Sequence, residues 1–165
     1  MSHKRHKKNA PESVRVAVVT VSDTRTKEDD SSGRIIKETL AENGHRVVEY
    51  DVIRDDARMI REKIEHILSS DVDVIITNGG TGVSKRDVTV EALQGLIEKE
   101  LPGFGELFRY LSYKQIGATA ILSRAFAGVS KEKAVICLPG SKNAVALGMN
   151  FIVGELGHLV WEVRK

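Results

Sequence analysis

Residues 14–21 (VRVAVVTV) are β-branched and almost wholly apolar, as expected of a strand buried on both faces. Residues 72–77 (VDVIIT) and 134–138 (AVICL) share the trait. Between these runs the apolar residues fall at helical spacing. Ile35, Ile36, Leu40 and Ala41 predict a helix with Ser31 or Ser32 as its cap and Asn43-Gly44 as its stop. Residues 45–53 read as another strand, after which Asp55 opens a helix with Met59, Ile60, Ile64, Ile67 and Leu68 on one face. A helix from about Thr89 through Leu93, Leu96 and Ile97 is broken by Pro102-Gly103, and Phe104, Leu107, Phe108 and Leu111 carry the next. Residues 118–129 and 134–138 read as two strands around a Lys131-Glu132-Lys133 turn. The last helix carries Val145, Gly148, Ile152, Leu156, Leu159 and Val163. Alternating strands and helices predict an α/β domain with a mostly parallel sheet covered on both faces, and the hairpin makes one strand antiparallel.

At 165 residues, the chain is expected to form one domain over residues 14–165, preceded by a flexible basic arm over residues 1–13. Lys4, Arg5, Lys7 and Lys8 stand against Glu12 in that arm, which more than accounts for the net charge of +2. The body is therefore close to neutral, and no nucleic-acid partner is expected. Cys137 is the single cysteine, so a disulfide framework and a Cys-rich zinc site are excluded. No unbroken apolar run approaches the ~18 residues of a membrane span, and no apolar stretch follows the basic arm as in a secretory signal. These features predict a cytoplasmic protein with no membrane partner.

Ligands of open α/β sheets bind at the carboxyl ends of the strands. Four such ends are rich in Gly, Ser, Thr or Asp: Ser22-Asp23-Thr24, Arg54-Asp55-Asp56, residues 77–82 and residues 139–143. Thr77-Asn78-Gly79-Gly80-Thr81-Gly82 suits a phosphate cradle, because glycines admit close backbone approach and successive N–H groups form an anion nest. It is neither a P-loop nor a dinucleotide fingerprint. Lys85-Arg86-Asp87 follows, and two cations with a carboxylate beside a nest suit a polyphosphate carrying Mg²⁺. The plainer alternative is that Asp87 or Thr89 caps the next helix. Asp55-Asp56 is either an N-cap with a first-turn acid or a carboxylate that positions Mg²⁺. Leu138-Pro139-Gly140-Ser141-Lys142-Asn143 joins a turn to a helix N-terminus, which favours anions. Ser123 and Arg124 interrupt an apolar run and are either exposed or aimed at a ligand. Cys137 reads as a buried inert thiol, and His45, His66 and His158 lack metal-ligand spacing.

From about Val14 onward the chain resembles the molybdenum-cofactor biosynthesis proteins of the MoaB/Mog type. The resemblance rests on Thr20-Val21-Ser22-Asp23-Thr24, on the glycine loop, and on Arg86-Asp87-Val88-Thr89. It rests also on Pro102-Gly103-Phe104-Gly105-Glu106, Ala120-Ile121-Leu122-Ser123-Arg124 and Leu138-Pro139-Gly140-Ser141. It implies a three-layer α/β/α sandwich, assembled as a homotrimer or homohexamer, with molybdopterin adenylyltransfer as the activity. ATP and molybdopterin, with Mg²⁺, would give adenylyl-molybdopterin and pyrophosphate, and a metal-insertion protein is a candidate partner.

Carried over residue by residue, Ser22, Asp23, Thr77, Gly79, Gly80, Thr81 and Gly82 are candidate nucleotide- and phosphate-binding residues. Asp87 is a candidate catalytic and Mg²⁺-binding carboxylate. The family's second aspartate follows a proline, here Arg54, so Asp55 is the best match while Asp56 stays open. Ser123, Gly140, Ser141 and Asn143 are candidate pterin-binding residues. Asn78 stands where the family usually has Thr, and Lys142 where Pro is common. The alternative function is a non-catalytic molybdopterin carrier on the same fold. The related MoeA-type and CinA-like chains carry extra domains, for which this length leaves no room.

Overall fold

A computed structural model describes residues 9–165. The first eight residues of the basic arm lie outside the described residues. The remainder of the arm reaches the body: the Pro11 carbonyl lies so close to Gly157 that a Cβ there would sit 2.1 Å from its oxygen.

Six strands form one mixed sheet. In chain order they are β1 (Arg15–Val21), β2 (Arg46–Ile53), β3 (Val74–Asn78), β4 (Lys99–Glu100), β5 (Phe126–Ser130) and β6 (Lys133–Leu138). Their spatial order is β2-β1-β3-β6-β5-β4. β2, β1, β3 and β6 run parallel, β5 is antiparallel to β6, and β4 is antiparallel to β5. The helices are α1 (Ser31–Glu42), α2 (Ala57–Leu68), α3 (Thr89–Gln94), α4 (Pro102–Ile116), α5 (Lys142–Ile152) and α6 (Leu156–Val163).

The near-continuous apolarity of β1, β3 and β6 follows from burial on both sides. Val16, Val18, Val74, Ile76, Ile136 and Leu138 pack with Ile36 and Leu40 of α1, Phe104 and Phe108 of α4, and Val145 and Met149 of α5. The alternate residues Ala17, Val19, Ile75, Val135 and Cys137 pack with Ile60, Ile64 and Ile67 of α2 and Leu93 of α3. This is the expected three-layer α/β/α sandwich. Cys137 is fully buried, and burial pushes its thiol up to about 12, so it is an inert core residue.

The structure corrects three local readings. The strand expected over residues 118–129 is a 3-10 turn (Gly117–Leu122) followed by the short β5. The reason is register. Lys131 and Glu132, both with positive φ, form a two-residue hairpin turn, and pairing with β6 reaches only as far as Phe126 opposite Cys137. Earlier residues have no strand to pair with on that side. Second, Asp30 rather than Ser31 or Ser32 caps α1, its carboxylate accepting the Gly33 N–H at 3.0 Å. Third, the expected C-terminal helix breaks at a 3-10 segment (Val153–Glu155) between α5 and α6. The whole segment Lys142–Val163, with mean hydropathy 1.4, is long and apolar enough by composition to cross a membrane. Here Val145, Met149, Leu156 and Val160 lie in the same core as Ile136, so part of that apolarity packs on the sheet.

At the amino ends of the strands Asp73 ties the chain together. Its carboxylate accepts the Arg15 N–H at 2.7 Å and the Arg15 guanidinium at 2.8 and 3.2 Å, and it pairs with Arg164 at 2.7 Å. Burial alone would push the Asp73 carboxyl up, but the bonds from Arg15 and Arg164 outweigh it and hold the value at about 2. A carboxyl depressed on folding stabilises above its unfolded value near 3.8, and the contribution is lost as pH falls toward 2. Asp73→Asn is therefore expected to lose about 2 kcal/mol of unfolding free energy at pH 7. In urea titrations the gap between wild type and variant should close between pH 4 and pH 2.

Candidate functional site

The carboxyl ends of β1, β2, β3 and β6 form a single surface at the point where the chain's crossovers change side, with α1 on one face and α2 and α3 on the other. Short hydrogen bonds tie these loops in pairs, and the glycine loop joins the two pairs by lying against Val21 O. The Ser22 N–H donates to Ile53 O at 2.8 Å, the Asp55 N–H to Asp23 Oδ1 at 3.1 Å, and the Gly79 N–H to Leu138 O at 3.0 Å. The four strand ends singled out by composition therefore meet.

The glycine loop leaves β3 in a conformation other residues avoid. Gly79 has φ +100° and Gly80 φ +67°. A Cβ at Gly79 would lie 2.2 Å from Val21 O, and one at Gly80 would lie 2.2 Å from Thr89 Oγ1 and 3.0 Å from Asp55 Oδ1. The Gly80 carbonyl accepts the Thr89 N–H at 3.1 Å, which folds the loop back onto the start of α3.

The two neighbouring aspartates take different roles. Asp56 is the N-cap of α2, accepting the Met59 N–H at 2.9 Å. Asp55 instead turns to the glycine loop, and its Oδ1 is buried without a hydrogen-bond partner. Burial pushes the Asp55 carboxyl up, with the charges of Asp87 and Asp23 adding, against the Val88 amide and Arg86 pulling it down. Asp87 is different again. Burial opposes its charge, but the Ser84 hydroxyl at 2.6 Å, the Ser84 amide at 2.9 Å and the Gly82 amide outweigh that and hold it below the usual range. Asp23 is held down chiefly by the Asp55 amide and also by its ion pair with Arg86. Lys85 stands exposed on the same loop.

Four buried side-chain atoms among the described residues lack a partner: Asp55 Oδ1, Thr77 Oγ1, Asn78 Oδ1 and Thr89 Oγ1. All four lie around the glycine loop. A buried polar atom left unpaired costs about 1–3 kcal/mol, so their collection in one place marks a site built for something other than stability. Among the described residues no three His, Cys, Asp or Glu side chains are grouped to hold a metal alone. Asp55 and Asp87 could supply the one or two carboxylates that Mg²⁺ takes when substrate phosphates and water complete its shell. Asp55 Oδ1 is an available hard oxygen for it.

On the α1 face a second polar group meets the first. The Ser32 hydroxyl donates to Gly140 O at 2.7 Å, and the Arg25 guanidinium donates to Gly140 O at 3.2 Å and to Ser32 Oγ at 2.9 Å. Ser22 Oγ shapes the preceding turn by accepting the Arg25 N–H at 3.1 Å. Ser141 is the N-cap of α5, accepting the Ala144 N–H at 3.3 Å. Beneath lies a network that sequence reasoning missed. Buried Asp30 accepts the Thr20 hydroxyl at 2.5 Å and the Tyr50 hydroxyl at 2.7 Å, and Thr20 Oγ1 in turn accepts Asn78 Nδ2 at 2.8 Å. An acid after a charged loop carried no signal beyond capping.

Of the candidate pterin residues, Gly140, Ser141 and Asn143 lie together at the start of α5, and Ser123 stands apart from them. Asn143 lines a groove of about 950 Å³ between α1 and α5, while Ser123 lines a separate cavity of about 430 Å³ beside β4 and β5. Arg124 turns toward the 82–87 loop, which answers whether it faces solvent or the site.

Residues 17–158 match the family described as "Probable molybdopterin binding domain". The whole chain is 49% identical to molybdenum cofactor biosynthesis protein B of Bacillus cereus, covering 99% of it. It is 48% identical to the protein of the same name from Bacillus subtilis, again covering 99%. A crystal structure of a molybdenum cofactor biosynthesis protein B matches at TM-score 0.91 and 48% identity, over 94% of this chain and 99% of that one. The tungsten cofactor synthesizing protein MoaB of Pyrococcus furiosus matches at TM-score 0.86 and 38% identity, over 94% of this chain and 100% of that one.

The split between the two aspartates can be measured. Asp56→Ala removes a cap and should lower unfolding free energy by about 1 kcal/mol. Asp55→Asn removes a strained charge, so at neutral pH it should melt at or above the wild-type temperature. A carboxyl raised on folding costs stability only where it is ionised. The variant's advantage should therefore shrink as pH falls through the raised Asp55 value and be gone at the ordinary value of 3.8.

Proposed function

The chain belongs to the molybdopterin-binding family of molybdenum- and tungsten-cofactor biosynthesis proteins that includes MoaB, and on that premise we propose that it is a molybdopterin adenylyltransferase. The observation that carries the reading is the set of four unpaired buried polar atoms around a glycine nest, with Asp55 and Asp87 beside it. Such a site offers phosphate oxygens amide donors, nearby cations and hard oxygens for a divalent ion. Phosphoryl-type transfer needs that combination, because catalysis there is mainly positioning and charge neutralisation.

In the proposed reaction a terminal phosphate oxygen of molybdopterin attacks the α-phosphorus of ATP. A new phosphoanhydride bond forms, the bond between the α-phosphorus and its bridging oxygen breaks, and pyrophosphate leaves. The amides of Gly80 and Thr81 position the phosphate oxygens, while those of Gly79 and Gly82 hold the loop to Leu138 O and to Asp87. Lys85 and Arg86 offset the negative charge of the leaving group. Asp55 and Asp87 would hold Mg²⁺, which when bound supplies further charge neutralisation at the phosphates. Ser32, Arg25 and Ser141, next to two helix N-termini, suit the phosphate of molybdopterin. Assembly as a homo-oligomer is supported by the exposed apolar side chains Leu107, Tyr110, Tyr113, Ile116, Ile121 and Leu122, which cluster on α4 and the turn after it.

Purified protein with molybdopterin, ATP and Mg²⁺ should yield adenylyl-molybdopterin and pyrophosphate by chromatography. Asp87→Asn should cut that rate by orders of magnitude with folding intact by circular dichroism, and wild-type turnover in this variant would remove Asp87 from the mechanism. Molybdopterin binding without ATP turnover would identify a carrier instead. Tyr113→Glu with Ile116→Glu should reduce the mass found by light scattering to that of a smaller assembly.

A further inference from the structure

The segment between Gly82 and Asp87 has no helix or strand of its own, yet it carries Lys85 and Arg86 and ends in a candidate catalytic carboxylate. Its internal bonding is one turn, in which Asp87 grips Ser84 and the Asp87 N–H returns to Ser84 O at 3.1 Å. The Gly82 amide bonds Asp87 and Arg86 pairs with Asp23, so the turn touches the nest and the β1 loop at single points. One side chain from another part of the molecule reaches both of its ends. Arg124 Nε donates to Gly82 O at 2.8 Å and its Nη2 to Asp87 O at 3.1 Å, so a single guanidinium spans both ends of the segment. The Arg124 N–H also donates to Thr81 O at 3.2 Å. From the far side Glu91, in the first turn of α3, holds the guanidinium by an ion pair.

We propose that Arg124 is the positioning residue that holds Asp87 in register with the glycine nest. It touches no reacting atom and acts through the backbone carbonyls of Gly82 and Asp87. The planar fork of arginine suits the task, since it offers several donors at fixed angles to two separated acceptors. A lysine ammonium is a point donor on a flexible stem and cannot hold both carbonyls in the same way. Because Arg124 lies between the 3-10 turn that ends at Leu122 and the start of β5 at Phe126, its backbone is anchored outside the loop that it braces. The catalytic consequence rests on the adenylyltransferase reading, whereas the brace itself is a property of the ligand-free chain.

The test compares wild type, Arg124→Ala, Arg124→Lys and Glu91→Gln in the full chain. In hydrogen–deuterium exchange without ligand, amides of residues 83–88 should exchange about tenfold faster in Arg124→Ala while β1 and β3 keep their protection. Arg124→Lys and Glu91→Gln should fall between it and wild type. In the adenylyl-transfer assay kcat of Arg124→Ala should drop on the order of 100-fold with KM for ATP within about threefold, and free guanidinium should restore part of the rate. Unchanged exchange at residues 83–88 overturns the proposal, as does faster exchange spread evenly over the chain. Wild-type protein that turns over nothing would count against the adenylyltransferase reading, and the exchange experiment alone would then decide the brace.

Discussion

The closeness of three strand ends is the constraint on which the site depends, and it is set by a missing side chain. Gly79 takes φ +100°, bonds Leu138 O through its N–H, and lies so near Val21 O that a Cβ would sit 2.2 Å from it. On its other side a Cβ at Gly140 would come within 3.1 Å of the Gly79 Cα. β1, β3 and β6 thus end with little more than a backbone between them. Any side chain at Gly79 would push the β1 and β6 loops apart, separating Asp23 and Asp55 from Ser32 and Ser141. The parallel pairing of the strands makes the loops neighbours, and this glycine decides how near they come.

Because successive strand residues face opposite layers, the end of β3 serves two chemistries at once. Thr77 shares its face with Ile75, toward α2 and α3, where Asp55, Asp87 and Thr89 gather. Asn78 shares its face with Ile76, toward α1 and α5, where it bonds Thr20 and lies near the helix N-termini. One face presents carboxylates and the other presents amide dipoles and Arg25. An anion with a divalent ion and a bare phosphate monoester prefer these two environments respectively. The glycine loop lies between them, which is where the proposed reaction would join two phosphates.

The sheet and the meeting of the loops were legible because they rest on composition. Long β-branched runs demand burial on both faces, and Gly, Ser and Asp at four strand ends point to one surface. The errors arose where one partner had to be known. Ser31 and Asp30 are equally good caps as letters, and only the Thr20 and Tyr50 hydroxyls draw Asp30 inward. Residues 118–125 have strand-like composition, but the Lys131-Glu132 turn sets a register that leaves them no partner. Asp55 and Asp56 cannot be told apart by type, and the Met59 amide makes the choice. Arg124 looked like an interruption in an apolar run because its acceptors, Gly82 O and Asp87 O, are about forty residues earlier in the chain.

Two aspartates at opposite ends of the same sheet state what each end is for. Asp73, at the amino ends, has its carboxylate filled by Arg15 and Arg164 and is held at about 2. Asp55, at the carboxyl ends, is pushed the other way by burial and by two neighbouring carboxylates, with one oxygen unpaired. The Val88 amide serves one side of Asp55, but no arginine fills its carboxylate as Arg15 and Arg164 fill that of Asp73. The loops instead bring Asp23 and Asp87 toward it and turn the cation Arg86 chiefly to Asp23. Leaving a charge in that state is unfavourable until a cation or a hydrogen-bond donor arrives. The carboxyl ends thus leave an acid incompletely satisfied where the amino ends satisfy theirs, a contrast that marks the Asp55 end as the candidate functional one.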